Sequence, residues 1–586
     1  MAQWMVACKK ADFKEIGKKF GIDQVTARIL VNRGLTEEES IRRFLSGGLA
    51  ELSDPHLLKD GTLLAEILVQ KLREGKHIRI IGDYDIDGVM SSYILYRGLT
   101  RCGAQVSVAI PNRIEDGYGL NRHLITQAAD AQVDTIITCD NGIAAIDEIA
   151  YAKELGMTVL VTDHHEIPFE EADGKKRYKA SNADAIVNPH QEECSYPYKH
   201  LCGAAVAWLV IRLLYEQMGV PSEEAELFLE NVAFATVGDV MPLTGENRIL
   251  VKEGLKRLHH TTNVGMRALA AQCEVEPERV ECYHIGFVLG PCINAAGRLD
   301  TAKRALELFL TEDENQATLL ANELVVLNTE RKEMTNRGVE EAKRLVESVA
   351  LQRDAVLVLY LPEVHESIAG IIAGRIRECY HRPTFVLTDA EDGVKGSGRS
   401  IEEYSMYDEL CRCEDLLLRF GGHPMAAGLT LPKENVDAFR KRLNDACTLR
   451  EEDMEEKIHI DVPMPVDYVG LELVRELSLL APFGKDNPRP LFADRNLKVS
   501  RMWIVGKNQN VLRLSLLSEH HTPVSGIYFG NVTDFLTYMT EQFGAGAVEA
   551  AMHGRENEIR LSVVYVPKIN EYHGQESVQI EIQAYR

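Results

Sequence analysis

The sequence predicts an α/β protein made of a parallel, doubly wound sheet, long connecting helices, a second α/β domain and a C-terminal β-barrel. Its 586 residues are enough for about four domains of ordinary size. Short β-rich segments alternate with helix-length segments in two separate regions, which is typical of sheets covered by helices. After Glu456 the helical pattern gives way to alternating strands, and this change favours a small barrel or sandwich.

The first region of alternation follows an N-terminal helical segment. Its strands are predicted at residues 77–82, 105–110, 134–139, 158–162 and 185–188. Apolar helical segments continue to residue 300, and the breaker-poor stretch 303–350 predicts one or two long connecting helices.

The second region of alternation has predicted strands at residues 355–360 and 384–388 around a helix at 367–380. The last strands are predicted at residues 511–517, 524–529, 559–566 and 577–582. The predicted domains are therefore residues 1–70, 71–300, 301–350, 351–455 and 456–586.

Composition and charge exclude several classes of protein. Hydrophobic residues make up 45% and charged residues 26% of the chain, which is ordinary for a globular protein and excludes a disordered or fibrous one. The net charge of −24 argues against a protein that coats nucleic acid by bulk charge, but it leaves room for a local basic groove. The most apolar segment, 201–215, is short and contains Arg212, so we expect a cytoplasmic protein without a membrane span. None of the 12 cysteines forms a C-x-x-C pair, which predicts free thiols and no structural zinc site.

A loop with three aspartates follows the first predicted strand. Asp83, Asp85 and Asp87 alternate along the loop, so their side chains point to one side if the chain stays extended. Carboxylates this close repel one another and need a cation to stay ionised together, and a hard divalent ion is the obvious candidate. A solvated acidic loop is the alternative, but open α/β sheets build their sites at the carboxyl ends of strands.

Two further predicted strands end in similar side chains. Asp140 follows residues 135–139, and His164 and His165 follow residues 158–162. Mixed histidine and carboxylate ligands suit manganese or a similar ion better than calcium, and a pair of such ions would support attack of water on a phosphodiester. Asp239 has apolar neighbours on both sides, so it is either a further ligand or the cap of a helix.

Several segments offer groups that bind phosphate. Residues 396–400 combine glycines, hydroxyls and Arg399, while residues 420–423 resemble a tight glycine loop. Arg298 and Arg113 also lie near glycines. Each of these segments could be an ordinary turn or surface residue, but together they suggest a positive channel in an acidic chain.

These motifs resemble those of the DHH phosphoesterase superfamily, and their combination is similar to its single-strand-specific exonucleases over nearly the whole chain. The resemblance implies a set of metal ligands: Asp85, Asp87, Asp140, His164, His165 and Asp239, with Asp83 as a further ligand or a supporting acid. It also implies a set of residues that hold the DNA strand: Arg113, Arg298, Ser397, Arg399 and His423.

The resemblance further implies 5′-to-3′ degradation of single-stranded DNA to mononucleotides in repair and recombination, with two Mn²⁺ or Mg²⁺ ions. A helicase and a single-strand-binding protein are the partners it suggests. Under this interpretation, residues 71–300 form a DHH catalytic domain, 351–455 a DHH-associated substrate-binding domain and 456–586 an OB-like nucleic-acid-binding domain.

Two positions depart from the family pattern. Cys292 stands where the family usually has an arginine, which puts one substrate contact in doubt, and the neighbours of Asp239 differ while the acid is kept. An enzyme of the same chemistry that acts on short oligoribonucleotides or cyclic dinucleotides is the alternative function, although such relatives are shorter and generally lack the terminal barrel. A scaffold with a degenerate site is a third possibility, which the intact acids and histidines disfavour.

Overall fold

A computed structural model describes residues 2–113, 116–117, 119–172, 175–348, 351–390, 393–506 and 508–586. The chain forms two compact units, one of Leu49–Glu456 and one that joins Met1–Gly48 to Lys457–Arg586. The predicted fold class is confirmed, because both α/β sheets, the connecting helices and the terminal barrel are present.

The first sheet has five parallel strands, in the spatial order Gln105–Ala109, His77–Ile81, Thr135–Cys139, Thr158–Thr162 and Ala185–Val187. The chain leaves the His77–Ile81 strand towards one edge and later returns to its other side. This reversal makes a crevice at the carboxyl ends of neighbouring strands, which is where doubly wound sheets bind ligands. A separate hairpin pairs Phe169–Ala172 with Lys175–Tyr178.

Helices cover and extend this sheet. They are Gly61–Arg73, Ile86–Arg101, Arg122–Asp130, Ile146–Glu154, Gly203–Met218, Ser222–Glu226, Leu229–Gly238, Gly245–Leu258, Val264–Gln272 and Gly290–Leu299. The apolar segment around Arg212 forms the helix Gly203–Met218, which is buried in the core of this unit. No helix in the described ranges is long and apolar enough to cross a membrane.

The helices Lys303–Leu310 and Glu314–Val346 connect the first sheet to the second. The second sheet has the spatial order Arg419–His423, Ala426–Leu431, Gly393–Arg399, Thr384–Ala390 and Leu357–Tyr360. Its helices are Glu366–Tyr380, Met406–Cys411 and Val436–Asp445. The tight loop predicted at residues 420–423 is wrong, because this segment is a strand that pairs in the sheet. Residues 396–399 also lie in a paired strand, so the alternative of an ordinary turn does not hold there.

The other unit is a barrel of six strands: Val462–Pro463, Phe492–Val505, Val511–Leu517, Pro523–Tyr528, Gln575–Tyr585 and Arg560–Tyr572, the last of which pairs back with the second. Its helices are Phe13–Phe20, Gln24–Asn32, Glu38–Ser46, Leu471–Leu477, Val532–Phe543 and Ala545–Met552. The strand Gln3–Val6 pairs in parallel with Lys457–Ile460. The first 48 residues thus belong with the barrel, whereas the sequence predicts a separate N-terminal segment that extends to residue 70.

Candidate active site

Two glycines shape the aspartate loop. A Cβ on Gly82 would lie 2.1 Å from the Ser92 hydroxyl, and a Cβ on Gly88 would lie 2.4 Å from the Asp83 carbonyl oxygen. Only glycine fits at either position, because real Cβ atoms do not approach other atoms so closely. The two glycines let the loop fold back against the start of the next helix.

Asp85 is the N-cap of the helix Ile86–Arg101. Its Oδ1 accepts hydrogen bonds from the backbone N–H groups of Asp87 and Gly88, both at 3.0 Å. The extended backbone on which the shared side of the three carboxylates depends ends at Asp85, because the cap starts a helix there. Asp87 is directed by the first turn of that helix.

Asp87 is fully buried at the N-terminus of the helix Gly203–Met218. Its two carboxylate oxygens accept hydrogen bonds from Gly203 N–H at 2.6 Å and Ala204 N–H at 2.7 Å. The positive end of the helix dipole stabilises a carboxylate at this place. A Cβ on Gly203 would lie 2.8 Å from the Asp140 Cβ, so glycine is also needed for this close approach.

Asp140 follows the strand Thr135–Cys139 and has a left-handed backbone with φ of 60°. The next residue holds the loop, since the Asn141 amide donates to the carbonyl oxygens of Ile81 at 3.1 Å and Cys139 at 2.8 Å. Asn141 therefore ties together the ends of two neighbouring strands, and with them the loops that carry the carboxylates.

His164 lies among three carboxylates. Its Nε2 is 3.0 Å from Asp140 Oδ1, 3.5 Å from Asp87 Oδ2 and 3.8 Å from Asp239 Oδ2. Asp239 reaches this point from the C-terminal end of the helix Leu229–Gly238. The acid that the sequence leaves as either a ligand or a cap thus joins the same cluster.

Asp163 orients the second histidine. Its Oδ1 accepts from His165 Nδ1 at 2.8 Å and from the backbone N–H groups of His164 and His165, and its Oδ2 accepts from Ile143 N–H at 2.9 Å. The two histidine rings lie on the same side of the loop, with centroids 4.5 Å apart, because the backbone turns around this carboxylate. Asp163 is not among the predicted ligands. Its only signal in the sequence is its place directly before the two histidines.

All seven predicted acidic and histidine residues lie in one cluster, which we call the carboxylate–histidine cluster. It contains three overlapping sets whose possible ligand atoms lie within 4.8 Å of one another: Asp140, His164 and His165; Asp87, His164 and Asp239; Asp83, Asp85 and Asp140. The overlap of these sets is the arrangement expected for two adjacent ions that share ligands.

The electrostatics of the cluster fit a bound cation. Burial raises the pKa of Asp83 and of Asp140 well above the usual range, and neighbouring carboxylates raise both further. Asp83 Oδ1 is buried and has no hydrogen-bond partner among the described residues. Burial lowers the pKa of His164, which favours the neutral imidazole that a metal ion binds. Divalent ions would compensate the repulsion and satisfy the unpaired oxygen.

The second histidine of the cluster, His165, has a raised pKa, unlike His164. Burial lowers the pKa of His165, but the hydrogen bond and charge of Asp163 outweigh this effect and raise the pKa to about 9. With Nδ1 donating to Asp163, Nε2 is the nitrogen left to face an ion, as is usual for metal-binding histidines.

A basic cleft of about 360 Å³ lies beside the cluster, between the first sheet's loops and the helix Glu366–Tyr380. Four of the predicted DNA-holding residues line it: Arg113, Arg298, Ser397 and Arg399. Ser397 and Arg399 share one face of the strand Gly393–Arg399, because side chains two residues apart in a strand point the same way. The fifth, His423, is exposed on the edge strand and does not line this cleft.

One contact connects the cleft to the aspartate loop, and another holds an arginine within the cleft. The Arg113 guanidinium lies 4.7 Å from the centre of the Tyr84 ring, and Tyr84 stands between two of the clustered aspartates. Arg298 Nη1 donates to the Ser367 carbonyl oxygen at 2.7 Å. Burial lowers the pKa of Arg298 to about 10, and the charge of Arg113 adds to this effect. An anion in the cleft would relieve this crowding of positive charge.

The helix Gly290–Leu299 fixes this geometry. Asn294 Oδ1 accepts from Ile86 N–H at 2.9 Å, and a Cβ on Gly297 would lie 2.1 Å from the Tyr84 carbonyl oxygen. Cys292 on the same helix is 1% exposed, and its Sγ accepts from Asn328 Nδ2 at 3.3 Å. The position that departs from the family pattern therefore adds no group to the cleft.

Comparisons with known proteins agree with this geometry. Three family models match in order along the chain: the DHH family N-terminal domain over residues 77–235, the DHHA1 domain over 353–449 and the RecJ OB domain over 460–584. The single-stranded-DNA-specific exonuclease RecJ of Salmonella typhimurium is 34% identical over 579 residues, which cover 95% of this chain and 94% of that protein.

Solved structures give the same result. RecJ from Thermus thermophilus in complex with Mn²⁺ has a TM-score of 0.80 and 28% identity, over 100% of this chain and 79% of that one. The same protein in complex with Mg²⁺ has a TM-score of 0.76 and 27% identity, over 100% of this chain and 78% of that one. From the domain models, the full-length relative and these structures together, the chain belongs to the RecJ family.

Proposed function

We propose that this protein is a metal-dependent exonuclease that hydrolyses single-stranded DNA from the 5′ end and releases mononucleotides. One observation carries the proposal: a buried carboxylate–histidine cluster that needs cations lies directly beside a cleft of arginines that needs anions. A phosphodiester strand held in the cleft would place a phosphate at the cluster. The RecJ relatives named above support the choice of single-stranded DNA as that substrate.

The proposed ligands of two Mn²⁺ or Mg²⁺ ions are the members of the three overlapping sets, Asp83 included. Bound ions would polarise the phosphate and activate water. Two of these ligands are already oriented by the protein. Backbone N–H groups at a helix N-terminus orient Asp87, and Asp163 accepts a hydrogen bond from Nδ1 of the His165 ring and so holds that ring in place. The two RecJ structures from Thermus thermophilus contain Mn²⁺ and Mg²⁺, which supports these ions here.

The cleft would hold the strand by its phosphates. The guanidinium groups of Arg113, Arg298 and Arg399 can each donate to phosphate oxygens, and the Ser397 hydroxyl adds a neutral donor. Charge-assisted bonds of this kind position the backbone without reading the base, which suits an enzyme that must degrade any sequence. His423 would contact the strand only at the outer edge of the sheet.

The barrel favours a polymer over a small nucleotide. Barrels of the OB type bind single strands through a groove and exposed aromatic rings. The proposed domain functions follow: catalysis in 71–300, substrate binding in 351–455 and strand binding in 456–586, in keeping with the matched ranges of the three family models. A helicase and a single-strand-binding protein are proposed partners because they would produce and present such strands in repair and recombination. This role places the protein in the cytoplasm.

The test is a degradation assay on four substrates: single-stranded DNA, blunt duplex DNA, a short oligoribonucleotide and a cyclic dinucleotide. We expect single-stranded DNA to be degraded with Mn²⁺ or Mg²⁺, no reaction with a chelator and little reaction on the duplex. Strands labelled at one end report the direction, because 5′-to-3′ hydrolysis releases a 5′ label at once as a mononucleotide. Faster cleavage of the small nucleotides than of DNA would establish the alternative function instead.

A further inference from the structure

A further arginine lines the basic cleft, and another lies close to one of the cleft residues. Arg375, on the helix Glu366–Tyr380, lines the cleft together with Arg298 and Arg399. Arg331, on the connecting helix Glu314–Val346, lies near enough to Arg298 for its charge to lower the pKa of that arginine further. Arg375 in turn helps to lower the pKa of Arg331, after the larger effect of burial. The positive charge therefore continues past the residues to which the sequence assigns a role.

The acidic residues at the cleft do not compensate this charge. Glu366 pairs with Lys395 at 2.8 Å, and Glu378 lies 3.6 Å from Arg377. Within the ranges that the structure describes, no carboxylate lies within ion-pair distance of either Arg331 or Arg375. This contrasts with the paired arginines elsewhere on the surface, such as Arg101, which forms a fork with Glu224.

Arg331 is held in place by a neutral partner. Its Nε and Nη2 donate to Asn328 Oδ1 at 3.1 and 2.9 Å. Asn328 is 4% exposed, and its amide is fixed in turn by the Cys292 sulfur. A neutral acceptor orients the guanidinium without cancelling its charge, and these two bonds leave Nη1 available for a ligand. Such an arginine is prepared to bind an anion.

We propose that Arg331 and Arg375 form a second phosphate subsite, which binds a backbone phosphate next to the one held by Arg113, Arg298 and Arg399. This proposal rests on the proposed function, since it assigns a further part of the same strand. The ligand is a phosphodiester monoanion within a polymer. The subsite therefore improves the binding of strands with several phosphates and does little for a substrate with a single one.

The experiment compares Arg331→Gln, Arg375→Gln and the double variant with the wild type. Arg337→Gln is the matched control, because Arg337 is an exposed arginine on the same helix as Arg331 and faces another direction. Binding of a fluorescent oligothymidine is measured with a chelator present, over a range of salt concentrations. We expect each subsite variant to reduce the salt slope by about 0.7, the value for one phosphate contact on a single strand.

Turnover gives a second readout. We expect KM for the oligonucleotide to rise about tenfold in each subsite variant with kcat nearly unchanged, because the contact is the same in the ground and transition states. Arg331→Lys keeps the charge but loses the fork on Asn328, so its KM should lie between those of the wild type and Arg331→Gln. Arg337→Gln should match the wild type in both measurements.

The outcomes separate this proposal from the proposed function. A wild type that degrades no single-stranded DNA would contradict the proposed function itself. A wild type that does so, with salt slopes unchanged in both Arg331→Gln and Arg375→Gln, would overturn the subsite alone. Arg375 is exposed on its helix, so Arg375→Gln remains a valid test even if Arg331→Gln folds poorly.

Discussion

The two compact units differ in what they bury. The Leu49–Glu456 unit places Asp83, Asp87 and Asp140 at 2% exposure or less and brings their charges together. The barrel unit has a core of apolar and aromatic side chains, among them Phe492 and Phe535. Burying like charges costs stability, whereas burying apolar surface supplies it. The difference shows that the first unit gives up stability for a metal centre, while the second can act only through its surface.

The barrel surface offers a few aromatic side chains for this purpose. Tyr528 packs against the core residue Phe535, with ring centroids 5.3 Å apart, and is only partly exposed. Phe529 and Tyr572 are 57% and 70% exposed. Exposed aromatic rings of this kind can stack on the bases of a single strand.

The largest effect should come from Asp140→Asn. Asparagine tolerates the left-handed backbone, so the change removes the charge and keeps the shape. We expect kcat on single-stranded DNA to fall by about 10³-fold, since a lost ligand withdraws several kcal/mol of charge stabilisation.

The same variant, Asp140→Asn, tests whether the buried carboxylates of the cluster lower the stability of the folded protein. A carboxyl whose pKa is raised on folding destabilises the protein at pH values above its unfolded pKa, so the metal-free variant should melt at the same temperature as the wild type or higher at neutral pH. Asp147→Asn, in the exposed first turn of a nearby helix, is the control and should keep full activity. An Asp140→Asn enzyme that kept its turnover and only bound DNA less tightly would refute the metal assignment.

The next largest effect should come from removing the barrel unit. A protein of residues 49–456 lacks the whole barrel unit and keeps the cluster and the cleft. We expect its KM for long strands to rise by about tenfold to a hundredfold, the effect of losing one or two stacked bases, with cleavage of very short strands retained. The comparison of long and short strands in one assay is the measurement.

A truncation after residue 456 alone is the informative control. It leaves Ile29, Leu30 and Ile41 of the N-terminal helices without the barrel core that buries them. We expect this shorter truncation to aggregate, as judged by gel filtration, because it exposes a contiguous apolar surface. If it instead behaved like the 49–456 protein, the association of the first helices with the barrel would be wrong.

A smaller effect should follow from Arg399→Ala. The lost charge-assisted contact costs about 1.5 kcal/mol, which corresponds to about a tenfold rise in KM with kcat nearly unchanged. Arg412→Ala is the control, because the Arg412 side chain is 62% exposed and neither it nor its partner Glu409 lines the cleft. A fall in kcat without a change in KM would mean that Arg399 acts at the reacting phosphate and not in binding.

The smallest effect should come from the barrel surface. Tyr572→Ala removes one exposed ring, and we expect about fivefold weaker binding of a long strand, equal to about 1 kcal/mol of stacking. Tyr572→Phe keeps the ring and should bind like the wild type. Equal binding by both variants would show that strands do not stack at this position.

The sequence predicts the catalytic region well because its signals are local. The strands of the first sheet are short β-rich runs, and site residues follow directly after three of them, as with Asp140 after Cys139. The Gly396–Ser400 segment is harder to interpret from the sequence, because the reason for its glycines lies in side-chain contacts of the folded sheet. Its glycines suggest a flexible turn, but they are small because Leu387 and Met406 pack 2.4 Å from where a Cβ would be on Gly396 and Gly398.

Contacts between distant residues are not visible in local patterns. The pairing of Gln3–Val6 with Lys457–Ile460 joins segments that lie more than 400 residues apart, and no propensity or periodicity encodes it. The role of Asn328 also cannot be predicted from the sequence, where it is one polar residue in a long helix. Its contacts with Arg331 and Cys292 form only in the folded protein. Only its burial and its hydrogen bonds show that it orients the Arg331 guanidinium.

The parallel pairing of the N-terminal strand with Lys457–Ile460 has a consequence for how the protein is made. A ribosome must synthesise the entire Leu49–Glu456 unit between the two parts of the barrel. At about 5–20 residues per second, this delay lasts about 20–80 s. During that time the first helices are outside the ribosome with their apolar faces uncovered, so the nascent chain offers chaperones a binding site at its N-terminus until the last segment emerges.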